Sequence, residues 1–176
     1  LDNSKLYSRK DGVDFESSHF YKNHEVYKCV FNQYLAYTDL LINGMYWEQD
    51  MEVLFTKEEV KGKEFSIQVI ADITCDIEGS VPITIKDTVI KEPVFGWDRD
   101  KGQEAAPYGK HTVEVMAVSN LPAELPRNAS AAFGEMLSRD VLSLLLFGDD
   151  KGIIKNATLT KGGKVQEAYA YLNAFG

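Results

Sequence analysis

From Val113 to Val118 the chain reads Val-Glu-Val-Met-Ala-Val. It then breaks into Ser119 and Asn120, passes Pro122 and Pro126, and enters a helical pattern. Each proline fixes its own φ and pushes the residue before it out of α geometry, which predicts a rigid, extended turn between a buried strand and a helix. The carboxyl end of a buried strand is where open α/β sheets bind ligands, so this joint constrains both the fold class and the place to look for function.

The flanking pattern fits such a sheet. Val26, Tyr27, Val30, Phe31, Tyr34 and Leu35 follow three- and four-residue spacing and predict an amphipathic helix over 24–36. The apolar run from Asp39 to Trp47, interrupted at Gly44, predicts a buried strand, and Thr56-Lys-Glu-Glu59 matches a capping box. Residues 65–74 are rich in β-branched side chains and predict a second strand. Short extended pieces are expected at 88–90 and 94–97, a solvated loop over 98–110, and a third strand over 112–118. The apolar face from Asn128 through Ala129, Phe133, Met136, Leu137, Val141 and Leu145 predicts a long helix over 128–147, stopped by Gly148. A Gly162-Gly163 turn and a last amphipathic piece with Tyr169, Leu172 and Phe175 close the chain. Alternating helices and strands imply an α/β fold: a Rossmann-like parallel or mixed sheet with helices on both faces.

A complete dinucleotide-binding domain opens with a strand, a Gly-x-Gly-x-x-Gly turn and a helix. None of the 13 glycines falls in that pattern, so the first half of such a fold is expected to be absent. Residues 1–150 then read as the carboxyl-terminal part of a cofactor-binding domain. Residues 151–176 read as a tail packing back on it or on a missing amino-terminal domain.

A net charge of −8 repels phosphate backbones and disfavours nucleic acid as a partner. No apolar run approaches the ~20 residues that span a bilayer, so no membrane segment is expected. Cys29 and Cys75 make no disulfide framework. With no cationic leader, and Leu1 rather than Met at the start, a cytoplasmic fragment or processed product is expected. An incomplete sheet is also expected to pair, with another copy or with the missing half.

Three polar clusters follow the three apolar strands: Asn43 to Tyr46, Thr74 to Asp76, and Ser119-Asn120. Parallel pairing would bring them to one sheet edge and form a crevice; as isolated patterns they are equally ordinary loop starts. His19, His24 and His111 lack metal-ligand spacing, and no metal site is expected. Asp72, Asp76 and Glu78 could suggest a divalent ion, but acids at such mixed spacing are more commonly solvated or capped. Beside Asp76, the Cys75 thiol is expected to be raised rather than activated, and inert. Tyr46 and Trp47 could stack on a ligand ring or simply pack at a strand end. No Gly-x-Ser-x-Gly and no Ser/His/Asp set is present, and no catalytic acid or base is assigned.

The segment Val118-Ser-Asn-Leu-Pro-Ala-Glu-Leu-Pro-Arg-Asn-Ala-Ser130 resembles the hallmark segment of lysine-forming saccharopine dehydrogenases and lysine–ketoglutarate reductases. Leu41-Ile-Asn-Gly-Met-Tyr-Trp-Glu48 resembles a strand ending of the same family, Val69 to Ser80 its next strand and substrate loop, and Gly152 to Leu172 its carboxyl end. The resemblance implies an NAD- or NADP-dependent oxidoreductase, with saccharopine, lysine and 2-oxoglutarate as its small-molecule partners. Carried over by residue, Tyr46, Ile73, Val118, Ser119, Asn120 and Leu121 would line the dinucleotide, and Thr74, Cys75 and Asp76 would face saccharopine. Ser119 departs from the Asp usual in the family. The family's catalytic Lys and His, like its glycine turn, lie upstream of the matched segments, which implies that the isolated chain is inactive. Two alternatives remain open: a non-catalytic α/β interaction or regulatory module, and an alanine dehydrogenase-type enzyme acting on another amino acid.

Overall fold

The computed structural model describes residues 1–49 and 51–175, with side chains through 174. It forms two compact units, Leu1–Glu124 and Leu125–Gly176. They divide ahead of the long helix, whereas the sequence division into 1–150 and 151–176 groups that helix with the strands.

The first unit is built on a five-stranded mixed sheet beside a small two-stranded one, so the chain is α/β. Tyr7–Arg9 (β1) pairs antiparallel with Tyr27–Cys29 (β2). The large sheet comprises Leu40–Asn43 (β3), Val69–Asp72 (β4), Val94–Asp98 (β5), Gln103–Ala105 (β6) and Thr112–Met116 (β7). Its order is β3-β4-β7-β5-β6. β3, β4 and β7 run parallel, while β5 and β6 run antiparallel on the far side.

Strand alternation separates two faces. Ile70, Phe95, Trp97, Val113 and Val115 are buried on the inner face, against Phe55, Val60, Phe65, Ile67, Val81 and Ile83 from the connecting segments. On the outer face Leu40, Ile42 and Val69 are exposed, Ile42 by 66%. The same core continues into a group of rings around Phe20, with centroids of Tyr7 at 4.8 Å and Tyr27 at 5.0 Å. This group secures the segment before β3 against the rest of the core.

Three local expectations are corrected. The helix expected over 24–36 is not one element: 3-10 turns at His24–Val26 and Phe31–Tyr37 flank β2. The periodicity survives as the burial of Tyr27, Phe31 and Leu35, but pairing of Cys29 with Tyr7 takes the backbone between them into a strand. The loop expected over 98–110 carries β6, because the tight turn after β5 lets Gly96 pair with Ala105. Between the prolines the chain is not extended but forms one 3-10 turn, Leu121–Glu124, and Pro126 is the first residue of the helix that follows. A fixed φ near −65° suits both positions as well as it suits an extended chain. The Thr56–Glu59 capping box forms as expected, each side chain bonding the other's backbone N–H.

Gly96, in β5, has no room for a side chain. A Cβ there would sit 2.6 Å from the backbone oxygen of Ala106. Gly96→Ala is therefore expected to destabilise the unit by about 2 kcal/mol, read as a lower urea midpoint.

The second unit begins with one helical run. Pro126–Leu137 is α-helical, Ser138–Leu142 widens to π geometry, and Ser143–Phe147 returns to α. Gly148 ends it at φ 120°, as expected of a stop glycine. A short helix Ile153–Ala157 follows, then a hairpin of Thr160–Lys161 (β8) and Lys164–Val165 (β9). Gly162 and Gly163 turn this hairpin with positive φ at both positions, the requirement of a type I′ turn. Glu167–Phe175 is 3-10, kinked at Tyr169. The expected apolar contribution of Phe175 lies outside the described side chains.

Candidate functional site

Parallel pairing places three strand ends on one edge of the sheet. Asn43 is paired with Asp72, and Ala71 with Met116. The peptides that follow, 44–46, 73–76 and 117–120, therefore leave the sheet side by side. Pairing extends past the strands on both sides: Ile73 donates its N–H to the Asn43 carbonyl at 2.8 Å, and Val118 forms a parallel bridge with Thr88. The Thr88 hydroxyl accepts from the Ala117 N–H at 3.2 Å and donates to the Pro93 carbonyl at 2.9 Å, tying down the end of β7.

At this edge Ile73 is exposed by 43%, Ser119 and Asn120 are exposed, Leu121 is half-buried, and Val118 is buried. Tyr46 is also exposed. Its hydroxyl donates to the Glu48 carboxylate, and its ring centroid lies 6.1 Å from that of Tyr21. Along β3, an open cleft of about 980 Å³ runs from Leu40 to Tyr46 and is bordered by Leu1–Ser4, Phe15 and Tyr21. It adjoins the crevice through Asn43, Gly44, Met45 and Tyr46.

Thr74 and Cys75 are half-buried, and Asp76 is exposed. Cys75 takes a left-handed φ of 56° and Glu78 one of 50°, conformations uncommon outside glycine. The Cys75 Sγ lies 3.3 Å from the Asp72 carbonyl, to which it can donate. Burial pushes this thiol above its ordinary value, and the carboxyl groups of Asp72, Asp87 and Asp76 push the same way. A thiol held protonated is a weak donor rather than a nucleophile, in line with the sequence expectation. A Cβ on Gly79 would sit 2.6 Å from the Asp76 Cβ, so this loop requires glycine for its close return. Glu78 ion-pairs with Lys57.

Beneath the crevice lies a polar cluster that sequence reasoning did not assign. Asp72, fully buried, accepts from Asn43 Nδ2 at 2.9 Å and from Thr74 Oγ1 at 2.8 Å on one oxygen, and from Thr84 Oγ1 at 2.6 Å on the other. Asn43 Nδ2 also donates to Ser80 Oγ at 2.8 Å. Asn43, Ser80 and Thr84 are all buried. The signal was available: Asn43 and Asp72 occupy inward positions of their strands, two residues after Leu41 and Ile70. Asp72, Asp76 and Glu78, weighed together as ion ligands, diverge into the cluster, solvent and the Lys57 pair. Among the described residues no group of three or more His, Cys, Asp and Glu side chains is arranged to hold a metal.

Ile73, Ser119 and Asn120 are exposed just beyond the ends of the neighbouring strands β4 and β7, one apolar side chain, one hydroxyl and one amide. The glycine turn that would cradle a pyrophosphate is not in this sequence.

No family model matches the chain. It is 30% identical over 165 residues to an alpha-aminoadipic semialdehyde synthase of Arabidopsis thaliana, an alignment covering 90% of this chain and 16% of that protein. It is 28% identical to the mitochondrial alpha-aminoadipic semialdehyde synthase of Mus musculus, across 95% of this chain and 21% of the relative. A saccharopine dehydrogenase [NAD(+), L-lysine-forming] of Schizosaccharomyces pombe is 27% identical over 110 residues, 61% of this chain and 28% of that enzyme. The chain thus spans a minor part of the length of each relative.

Proposed function

We propose that this chain, a homologue of the alpha-aminoadipic semialdehyde synthases and the lysine-forming saccharopine dehydrogenases, forms one wall of a cofactor and substrate cleft. The enzyme would be an NAD- or NADP-dependent oxidoreductase acting on saccharopine. In the oxidative direction saccharopine, oxidised cofactor and water give lysine, 2-oxoglutarate, reduced cofactor and a proton. In this reading residues 1–150 are the carboxyl-terminal part of the cofactor-binding domain and 151–176 its tail.

Tyr46, Ile73 and the run Val118, Ser119, Asn120 and Leu121 line the nicotinamide side. Bound nicotinamide supplies the hydride acceptor. The chain's own part is to bind and orient: Ile73 excludes water from one side, and the exposed Ser119 and Asn120 offer hydrogen bonds to polar groups of the ring and ribose. Thr74, Cys75 and Asp76 face saccharopine, with the exposed Asp76 carboxyl suited to its cationic amino group and the Thr74 hydroxyl oxygen, its hydrogen committed to Asp72, able to accept from an amine. No residue here is given the proton transfers, which fall to the rest of the longer protein.

The observation that carries this reading is the ordered resemblance at three separate segments whose strand ends share one sheet edge. The test uses the full-length protein with saccharopine and either NAD or NADP, followed by absorbance of the reduced cofactor. Turnover with one of the two is expected; no turnover with either would sink the proposal.

A further inference from the structure

The buried cluster under the crevice is the least expected use of polar groups in the unit. Asp72 has no Lys or Arg ion-paired with it among the described residues, and its partners are one amide and two hydroxyls. Such a network adds little net stability over a well-packed apolar core, but it is directional and fixes the groups that share it. Its members come from three places. Asn43 ends β3, Thr74 leaves β4, and Thr84 lies at the far side of the 74–84 excursion. That excursion is closed internally by the Glu78 N–H donating to the Thr84 carbonyl at 2.8 Å. Both ends of the loop thus meet on a single carboxyl group, and Asn43, through its second hydrogen, reaches Ser80 in the same loop.

We infer that Asp72 is a positioning residue: through Asn43, Thr74 and Thr84 it sets the place of the 74–76 segment relative to the end of β3. This rests on the proposed function only for the statement that 74–76 faces the substrate; the mechanical role stands on geometry alone. Two features of the loop need an external hold. Cys75 and Glu78 sit in left-handed backbone that a free loop would leave, and the tight return at Gly79 leaves no slack. Asp72 supplies that hold from below, where water does not compete.

The test uses the full-length protein and three variants. Thr84→Val deletes one hydroxyl at nearly constant shape, Thr84→Ser keeps it, and Val113→Ala makes an ordinary core lesion at the opposite end of β7. Two quantities are read: KM for saccharopine, and the rate at which iodoacetamide modifies Cys75, resolved by peptide mass spectrometry. Thr84→Val is expected to raise KM about tenfold with a smaller change in kcat, and to speed Cys75 modification about tenfold. Thr84→Ser and Val113→Ala are expected to stay within about twofold of the unsubstituted protein on both. Equal Cys75 rates in Thr84→Val and Val113→Ala would overturn the inference. So would a faster Cys75 rate with unchanged KM in an active enzyme. If the unsubstituted protein turns over no saccharopine, the proposed function fails, while the Cys75 rates still decide whether Asp72 holds the loop. Should Thr84→Val not fold, Thr74→Val removes another donor to the same carboxyl, and the Cys75 rate gives the same decision.

Discussion

Asp72→Ala is expected to lower the unfolding free energy by about 4 kcal/mol, read as a lower urea midpoint with an unchanged slope. The carboxyl is fully buried and accepts three hydrogen bonds. Removing it strands the Thr84 hydroxyl and one hydrogen of Asn43, both in buried positions. Each stranded donor costs about 1–3 kcal/mol, and the void adds to that. Asp72→Asn is expected to lose only about 1–2 kcal/mol, because the amide oxygen still accepts from Asn43 and Thr74 while Thr84 can turn to accept from the amide nitrogen. A loss below about 1 kcal/mol in the alanine variant would mean that the strand ends are held by packing rather than by this cluster.

Phe20→Ala is expected to have an effect of similar size, about 4 kcal/mol, at a place remote in sequence from the crevice. Phe20 has no exposed surface and is ringed by Tyr7, Phe15, Tyr21, His24 and Tyr27, with centroids between 4.8 and 5.5 Å. Edge-to-face contacts such as that with Tyr27, interplanar angle 89°, add to the area buried. Phe20→Leu keeps most of the apolar volume and is expected to lose about 1.5 kcal/mol, which separates volume from ring geometry. Equal losses for alanine and leucine would show that the site collapses around either side chain.

The parallel strands and the crevice edge were legible because each strand is an apolar-rich run ending in polar residues, a pattern that persists even though only the inner face of β3 and β4 is buried. The register was not, yet it decides that Asn43 stands opposite Asp72. The stretch from His24 to Tyr37 misled because its apolar spacing satisfies a helix, while the backbone follows a partner, β1, that lies some twenty residues earlier and has no pattern of its own. β6 was hidden for the opposite reason: Gln103, Glu104 and Ala105 carry no apolar alternation, and only pairing with β5 makes them a strand. Among the site residues, Tyr46, Ile73 to Asp76 and Val118 to Leu121 came from family resemblance at strand ends. Thr84 and Ser80 have no sequence signal, being drawn in by a loop whose path depends on backbone turns at Cys75, Glu78 and Gly79.

The strand order carries a consequence for how the molecule assembles. β5, β6 and β7 are consecutive in the chain, and β5 stands between the other two and pairs antiparallel with both, so the three can zip together locally. β3 meets β4, and β4 meets β7, only after long intervening stretches have been closed, which makes these contacts the slow, high-entropy ones. The crevice therefore exists only once the last pairings are made. A pulse-labelling exchange experiment would find amides of Val94–Asp98 protected before those of Leu40–Asn43, so a partly folded chain would carry β5, β6 and β7 with only one of the three strand ends that make the crevice.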